Sequence, residues 1–341
     1  MQSNKKIKTN KNSFMHKGIR LGIIGGAGYT GGELIRLLLL HPLAEIAFVH
    51  SKSNAGNPIH QVHQDLLGST DLQFTHEINQ DIEILFLCLG HGESTKFLQE
   101  NSIDPSIRII DLANDFRLEK NAKQFNRDFV YGMPELNHDA ILQAHHIANP
   151  GCFATAIQLG LLPLAQAGIL KNVYTTGITG STGAGQSLTS TSHFSWRANN
   201  IQAYKTLTHQ HVAEIHQSLS QLQKNDVAAV HFVPWRGDFT RGIFVSSTIE
   251  TALDLKALNT LYKEFYQDQP FTIIAEKPIS LKQAINTNKC LLHIEKEGNR
   301  AVVHSVIDNL LKGASGQAVQ NMNIMMGWEQ TTGLHLKPLA F

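Results

Sequence analysis

Hydrophobic positions fall along this chain in two rhythms. Through the first 150 residues, short apolar runs alternate with helix-period stretches. Runs at 19–24, 44–49, 82–89 and 108–112 predict strands, and the third is almost wholly apolar, as a strand buried on both faces should be. Residues 33–40 and 93–100 predict helices, the first ended by Pro42. Strands separated by helices imply parallel pairing in a Rossmann-type doubly wound sheet of the α/β class. Beyond a helix predicted over 153–167 the rhythm changes. Strand-like runs at 173–178, 227–233, 242–249, 271–275, 289–295 and 301–307, interrupted by one helical pattern at 253–266, predict a second α+β domain with a mixed sheet. A last helical pattern over 314–328 is expected to return to the first domain. The expected boundaries therefore divide the chain into 1–17, 18–150, 151–307 and 308–341.

Composition sharpens this picture. A length of 341 residues suits two domains, and a charged fraction of 17% leaves ample material for their cores. The formal net charge of +1 gives no global attraction to nucleic acid or to an anionic membrane. No apolar run reaches the length of a membrane span; the longest, 34–40, is broken by His41-Pro42. Residues 1–17, rich in Lys and Asn, lack the apolar centre of a secretory signal and read as a disordered basic arm. The only cysteines are Cys88, Cys152 and Cys290, an odd and sparse set that argues against a disulfide framework and for a reducing, cytoplasmic setting. No Cys or His spacing matches a structural zinc site, so no metal is expected.

Candidate chemistry begins at the turn after the first strand. The segment GIIGGAGYTGGELIRLL holds Gly25-x-x-Gly28-x-x-Gly31 between a strand and a helix. Glycine lets the backbone turn tightly and approach a pyrophosphate, and the free N–H groups of the helix start face the anion. A plain tight turn has the same glycines; the strand-before, helix-after setting favours a dinucleotide. The second strand ends Val49-His50-Ser51-Lys52-Ser53, without the carboxylate that would hold a ribose 2′-hydroxyl. Ser51 and Lys52 instead offer donors and a positive charge suited to a 2′-phosphate, which selects NADP over NAD. Glu45 opens that strand, out of the ribose's reach.

A second candidate lies at ANPGCFATAIQLGLLPLAQAG. Pro150-Gly151 breaks the chain, so Cys152 falls in the first turn of the next helix, where unpaired N–H groups and the helix dipole lower a thiol's pKa. A thiolate there would be a nucleophile toward an activated carbonyl. Taken alone, the residue is as readily a small packing hydrophobe. Cys88, within an apolar strand, and Cys290, opening one, read as core residues. Of the 18 histidines, His209 and His211 stand at the entrance of another helix. Either is placed to serve as a general acid or base, although spacing alone more readily describes exposed helix-start histidines.

These residues, with several others in one order, resemble the N-acetyl-γ-glutamyl-phosphate reductase family over about residues 18–328. GGAGYTGGELIRLL is similar to its nucleotide loop. DLANDFRL (111–118), YGMPEL (131–136), NPGCFATA, STGAGQS (181–187), THQHVAEI and DNLLKGASGQAVQNMN (308–323) follow in the family's sequence. The resemblance implies a semialdehyde-dehydrogenase-like fold and NADPH-dependent reduction of an acyl phosphate to an aldehyde through a cysteine thioester, in arginine biosynthesis. It implies Cys152 as nucleophile and His211 as acid/base, with His209 as the fallback. Gly25, Gly28, Tyr29, Thr30, Gly31, Ser51, Lys52, Gly183 and Asn309 would hold the cofactor. Gly185 would help shape the loop near it, and the turn over 312–317 would approach the nicotinamide. Arg117, Arg241 and Glu214 would bind substrate. The resemblance also implies a homo-oligomer, dimer or tetramer, built through the second domain.

The chain departs from the family pattern at His209-Gln210-His211, where His-Arg-His is common, and at PWRGDFTRG, where Met-Thr-Arg-Gly is common. Arg197, Arg236 and Lys205 could engage a longer or charged N-acyl group such as succinyl. The rival readings are the same reaction on an N-succinyl or aminoadipyl substrate, aspartate-semialdehyde dehydrogenase, and a non-catalytic NADP-binding regulator.

Overall fold

The computed structural model describes residues 18–223 and 229–339. The basic arm expected over 1–17 and the first two residues of the strand expected at 227–233 lie outside the described residues. The chain forms two sheets. The first contains β1 (Ile19–Ile24), β2 (Ala44–His50), β3 (Phe74–Thr75), β4 (Ile84–Leu87), β5 (Arg108–Asp111), β6 (Lys123–Gln124), β7 (Arg127–Tyr131) and β8 (His146–Ala148). Its order is β3-β2-β1-β4-β5-β8-β7-β6, parallel throughout except for the β6–β7 edge. The second contains β9 (Asn172–Thr179), β10 (Gln202–Ala203), β11 (Ala229–Arg236), β12 (Ile243–Glu250), β13 (Thr272–Ile274), β14 (Cys290–Glu297) and β15 (Arg300–Ile307). Its order, β10-β11-β9-β12-β15-β14-β13, mixes parallel and antiparallel pairs. This is the expected architecture: a doubly wound parallel sheet joined to a mixed one.

The helices are α1 (Tyr29–Leu38), α2 (Glu93–Glu100), α3 (Glu119–Ala122), α4 (Pro134–Leu142), α5 (Cys152–Gln166), α6 (Phe194–Arg197), α7 (His211–Leu222), α8 (Leu255–Phe265) and α9 (Gly316–Met325). α1 starts at Tyr29, earlier than the residue 33 expected. Gly31 and Gly32 argue against helix by propensity, but packing overrides it. A Cβ at Gly31 would stand 2.7 Å from Gly26 Cα, and one at Gly32 would stand 2.6 Å from the His63 ring. The strands β7 and β8 and the helix α4 between them were not expected. β8 has only three residues, and β7 carries charge at its outer end.

α5 is apolar on every side because it lies buried between α7 and the second sheet, in one cluster with Ile215, Val245 and Val303. α9 packs against the first sheet: Val319, Met322 and Met325 share an apolar cluster with Leu34, Ile35 and Ile110. A π-helical turn, Leu311–Ser315, precedes α9 and joins the two regions. The Lys312 ammonium is fully buried there, 2.7 Å from the Glu135 carboxylate of α4 and 2.9 Å from Gln320 Oε1. The turn over 312–317, expected to approach the nicotinamide, therefore spends its charged residue on an interior ion pair.

The order of the first sheet reverses between β2-β1 and β4. Open α/β sheets bind ligands at such a switch point, beyond the carboxyl ends of the strands. The turns after β1 and β4 meet there, and α5 begins beside them.

Candidate active site

The cleft is lined from both halves of the chain. Gly28, Tyr29 and Thr30 come from the turn after β1, Cys88 and His91 from that after β4, and Cys152, Gly183, Tyr204, His209, His211, Arg236, Asn309 and Gly313 from the rest. Gly25 bends the chain with φ +77°, and a Cβ there would stand 2.4 Å from the Cys88 carbonyl oxygen. Beside Gly28 the space is open: apart from its chain neighbours, the nearest atom to an added Cβ would be the Gly25 carbonyl oxygen at 3.8 Å. α1 then begins with no acidic residue in its first turn. An open glycine edge at a helix start fits the pyrophosphate of a dinucleotide. Gly31 serves differently, by letting the helix seat against Gly26.

The adjoining hollow is bordered by Gly25, Gly28, Ser51 and Lys52. Lys52 is exposed and free to reach a 2′-phosphate, and Glu45 is at the far end of β2. Gly25→Ala puts a Cβ against backbone at a left-handed φ. NADPH affinity in that variant is expected to fall at least about tenfold, checked by fluorescence titration. Unchanged affinity would remove this turn from the cofactor site.

Cys88 is not inside its strand. It follows β4, is buried, and backs the Gly25 turn; burial pushes its thiol up to about 12. Cys290 opens β14 with its sulfur 3.4 Å from Ser305 Oγ in the core.

Cys152 is the first residue of α5, as the Pro150-Gly151 break required. It is half-buried, and a Cβ on Gly313 would stand 2.8 Å from its own Cβ, so only glycine admits the π-helical turn so close. Burial pushes the thiol up to about 11. The backbone N–H groups of Phe153 and Cys152 and the Arg117 charge pull it down, and Glu214 pushes it up. The helix start acts in the expected sense, but desolvation outweighs it. The expected low-pKa thiolate is thus corrected to a protonated thiol that needs a base.

The histidines supply a neutral imidazole. His211, the first residue of α7, is buried, and its pKa is driven well below the ordinary value by burial, then by the charges of Arg117 and His209. A Cβ on Gly151 would stand 2.4 Å from His211 Nε2, so the imidazole lies against the residue preceding Cys152. His209 sits among Phe153, Tyr204 and Phe232, its Nδ1 accepting from the His211 backbone N–H at 3.2 Å. Burial lowers it to about 4.

The three residues expected to bind substrate are otherwise engaged. Arg117 donates to Asn149 O at 2.8 Å, to Leu112 O at 2.9 Å and to Glu214 Oε1 at 3.0 Å. Glu214 Oε2 accepts from Tyr131 Oη and from the Gly151 N–H, each at 3.0 Å. This pair therefore clamps the turn that presents Cys152. Arg241 bridges Asp308 at 3.1 Å and Glu33 at 2.5 Å, tying α1 to the end of β15, and does not line the cleft. A buried guanidinium with carboxylate partners gains little by turning to a ligand. Asn309 accepts from the Gly242 N–H at 2.6 Å and donates to Thr182 Oγ1 at 3.0 Å, which fixes the loop carrying Gly183 and Gly185 at the cleft edge. Tyr131 and Tyr204 belong to this site without having been expected there, and Gly313 lies in the turn over 312–317 that was. The signal for the tyrosines was membership of the YGMPEL and AYKT segments.

Comparisons with known proteins converge. Residues 20–144 match the family model described as semialdehyde dehydrogenase, NAD binding domain, and residues 152–309 that described as semialdehyde dehydrogenase, dimerisation domain. An N-acetyl-gamma-glutamyl-phosphate reductase of Parabacteroides distasonis is 55% identical over 95% of this chain and 100% of its own length. One of Flavobacterium johnsoniae is 54% identical with the same coverage. Among solved structures, aspartate semialdehyde dehydrogenase II from Vibrio cholerae superposes with a TM-score of 0.69 at 16% identity, over 91% of this chain and 99% of that one. The Candida albicans enzyme with NADP gives 0.69 at 13%, over the same shares. At these identities the likeness is one of fold.

Proposed function

This chain belongs to the N-acetyl-γ-glutamyl-phosphate reductase family, and from that premise we propose that Cys152 is the nucleophile and His211 the acid/base of its reaction. The enzyme reduces N-acetyl-γ-glutamyl phosphate to N-acetylglutamate semialdehyde and phosphate with NADPH, in arginine biosynthesis. The N-succinyl, aminoadipyl, aspartate and non-catalytic readings are not favoured.

In the proposed mechanism, His211 takes the Cys152 proton as the sulfur attacks the γ-carbonyl carbon. Phosphate leaves with the electron pair of the C–O bond, and a thioester remains on Cys152. NADPH, when bound, supplies the hydride that reduces this acyl group. The sulfur then departs, and the N–H groups of Cys152 and Phe153, which already favour its anion, stabilise it as it leaves. His211 returns the proton. Gly25, Gly28, Tyr29, Thr30, Ser51 and Lys52 would hold the dinucleotide, with Gly183 and Asn309 bounding the nicotinamide side. Residues 18–150 with the helix of the 308–341 segment serve the cofactor, and 151–307 carry catalysis and assembly.

The observation that carries this reading is the seating of Cys152 at the start of a buried helix, in one cleft with a neutral imidazole and the open glycine turn. The test is phosphate-dependent reduction of NADP⁺ by N-acetylglutamate semialdehyde, with aspartate semialdehyde in parallel. Turnover of the first and not the second is expected; the reverse preference would sink the assignment.

Among the described residues no helix is long and apolar enough to cross a membrane. We further propose a cytoplasmic homo-oligomer formed through the open face of the second sheet. There Tyr174 is 59% exposed and stacks on His231 at 4.9 Å, with Phe244 and His304 alongside on neighbouring strands. Light scattering at micromolar concentration checks this, and a monomer would refute it.

A further inference from the structure

Accepting that reaction, we infer that the Arg236 guanidinium is the group that grips the carboxylate the substrate carries away from its reacting carbonyl. The other cations near the cleft are already engaged. Arg117, which also lines the cleft, is paired with Glu214, and Arg241 with Asp308 and Glu33, so both arginines first expected to bind substrate already have carboxylate partners. Arg236 differs. It ends β11, lines the same cleft as Cys152, and forms no ion pair with any carboxylate among the described residues. Its Nε is buried and without a hydrogen-bond partner. The guanidinium carbon lies 4.8 Å from the centre of the Tyr204 ring.

Tyr204 connects this cation to the chemistry. Its ring packs 5.8 Å from His209, and its hydroxyl is hydrogen-bonded to Arg236 and feels the charge of Cys152. Arg236, Tyr204, His209 and Cys152 line one cleft. The neighbouring Arg197 adds like charge, which it meets by donating to the Gly237 carbonyl. Lys205, the other cation of this wall, is engaged at 2.9 Å with Gln210 Oε1.

A half-buried guanidinium held against a ring, with a desolvated and unpaired N–H, is costly unless an anion completes it. Its planar fork matches a carboxylate, with two parallel donors where a lysine offers one point charge. The substrate has two anionic ends. The phosphate leaves during the reaction, whereas a carboxylate stays with the aldehyde and can be held in both directions. Two methylenes separate the γ-carbonyl from the carbon bearing the α-carboxylate. An N-acyl group with its own carboxylate would present the same chemistry.

The test measures phosphate-dependent NADP⁺ reduction by the wild-type enzyme, Arg236→Gln and Arg236→Lys. Each is given N-acetylglutamate semialdehyde, its α-carboxamide and N-succinylglutamate semialdehyde. If the α-carboxylate is the partner, Arg236→Gln loses about 100-fold in kcat/KM on both acids and almost nothing on the carboxamide. If an acyl carboxylate is the partner, the loss is confined to the succinyl substrate. Arg236→Lys, which keeps the charge without the fork, should show a smaller loss with the same substrate dependence. Equal loss on all three substrates, or no loss on any, overturns the inference. Failure of the wild-type enzyme on both acids would instead remove the reaction on which it rests. NADPH titration of each variant separates a binding defect from a folding one.

Discussion

Cys152→Ser should lose roughly 10⁴-fold or more in kcat while binding NADPH as the wild type does. The loss follows from the geometry of one turn. Gly151 is held by Glu214 and Arg117, α5 starts at Cys152, and the Gly313 backbone closes over its Cβ. A serine hydroxyl fits this seat, so the fold and the glycine turn across the cleft stay intact. What it lacks is sulfur's nucleophilicity toward the acyl phosphate, the hydride-accepting power of a thioester, and sulfur's readiness to leave from the tetrahedral carbon. Near-wild-type turnover would exclude the thioester. The resting thiol carries its own signature. With burial pushing it to about 11, the thiolate is a minor species at neutral pH and grows as pH rises. Alkylation of Cys152 in the substrate-free enzyme should therefore quicken about tenfold per pH unit from 7 to 10. A rate already flat at pH 7 would show a preformed thiolate and contradict the electrostatics of the site.

The second large effect is expected at His211. Its Gln variant should lose about 10²- to 10⁴-fold in kcat, with a smaller change in KM, because it removes proton transfer and leaves the binding walls in place. Two shifted groups act together here. Cys152 is protonated at neutral pH, so attack requires a base. His211 is held neutral because burial and the Arg117 charge disfavour its imidazolium. A histidine with a depressed pKa accepts a proton at any pH above that value and loses this capacity only as pH falls through it. The acid limb of the wild-type pH profile should accordingly lie well below pH 6.5, and it should vanish in His211→Gln. If His209→Gln abolished that limb while His211→Gln kept it, the roles of the pair would be exchanged.

Much of this was written in the sequence, for identifiable reasons. Periodicity located β1, β2, β4 and β5 because buried parallel strands are apolar runs, and α5 because a helix buried on all sides is apolar throughout. Pro150-Gly151 placed Cys152 at a helix start without any knowledge of the fold. The missed strands β7 and β8 have only five and three residues, too few to show a clear period, and β8 pairs with β5, far from it in sequence. At the site, residue type announced Cys152 and His211 but misjudged the charged groups. Arg117 and Glu214 are each plausible substrate ligands read singly; only the fold shows that they occupy each other. The raised thiol pKa was equally invisible, since the helix start is a local feature whereas burial is set by what packs around it, the Gly313 turn far along the chain included.

That same turn ties three parts of the catalytic centre to one short segment. The π-helical segment over Leu311–Ser315 touches Cys152 through Gly313, buries Lys312 against Glu135, and donates from Ser315 Oγ to the Thr30 carbonyl at 2.8 Å. Nucleophile, α4 and the nucleotide turn thus converge on residues that follow β15 and belong to neither sheet. Loosening that segment would disturb all three together, so the seat of the thiol and the seat of the cofactor stand or fall as one.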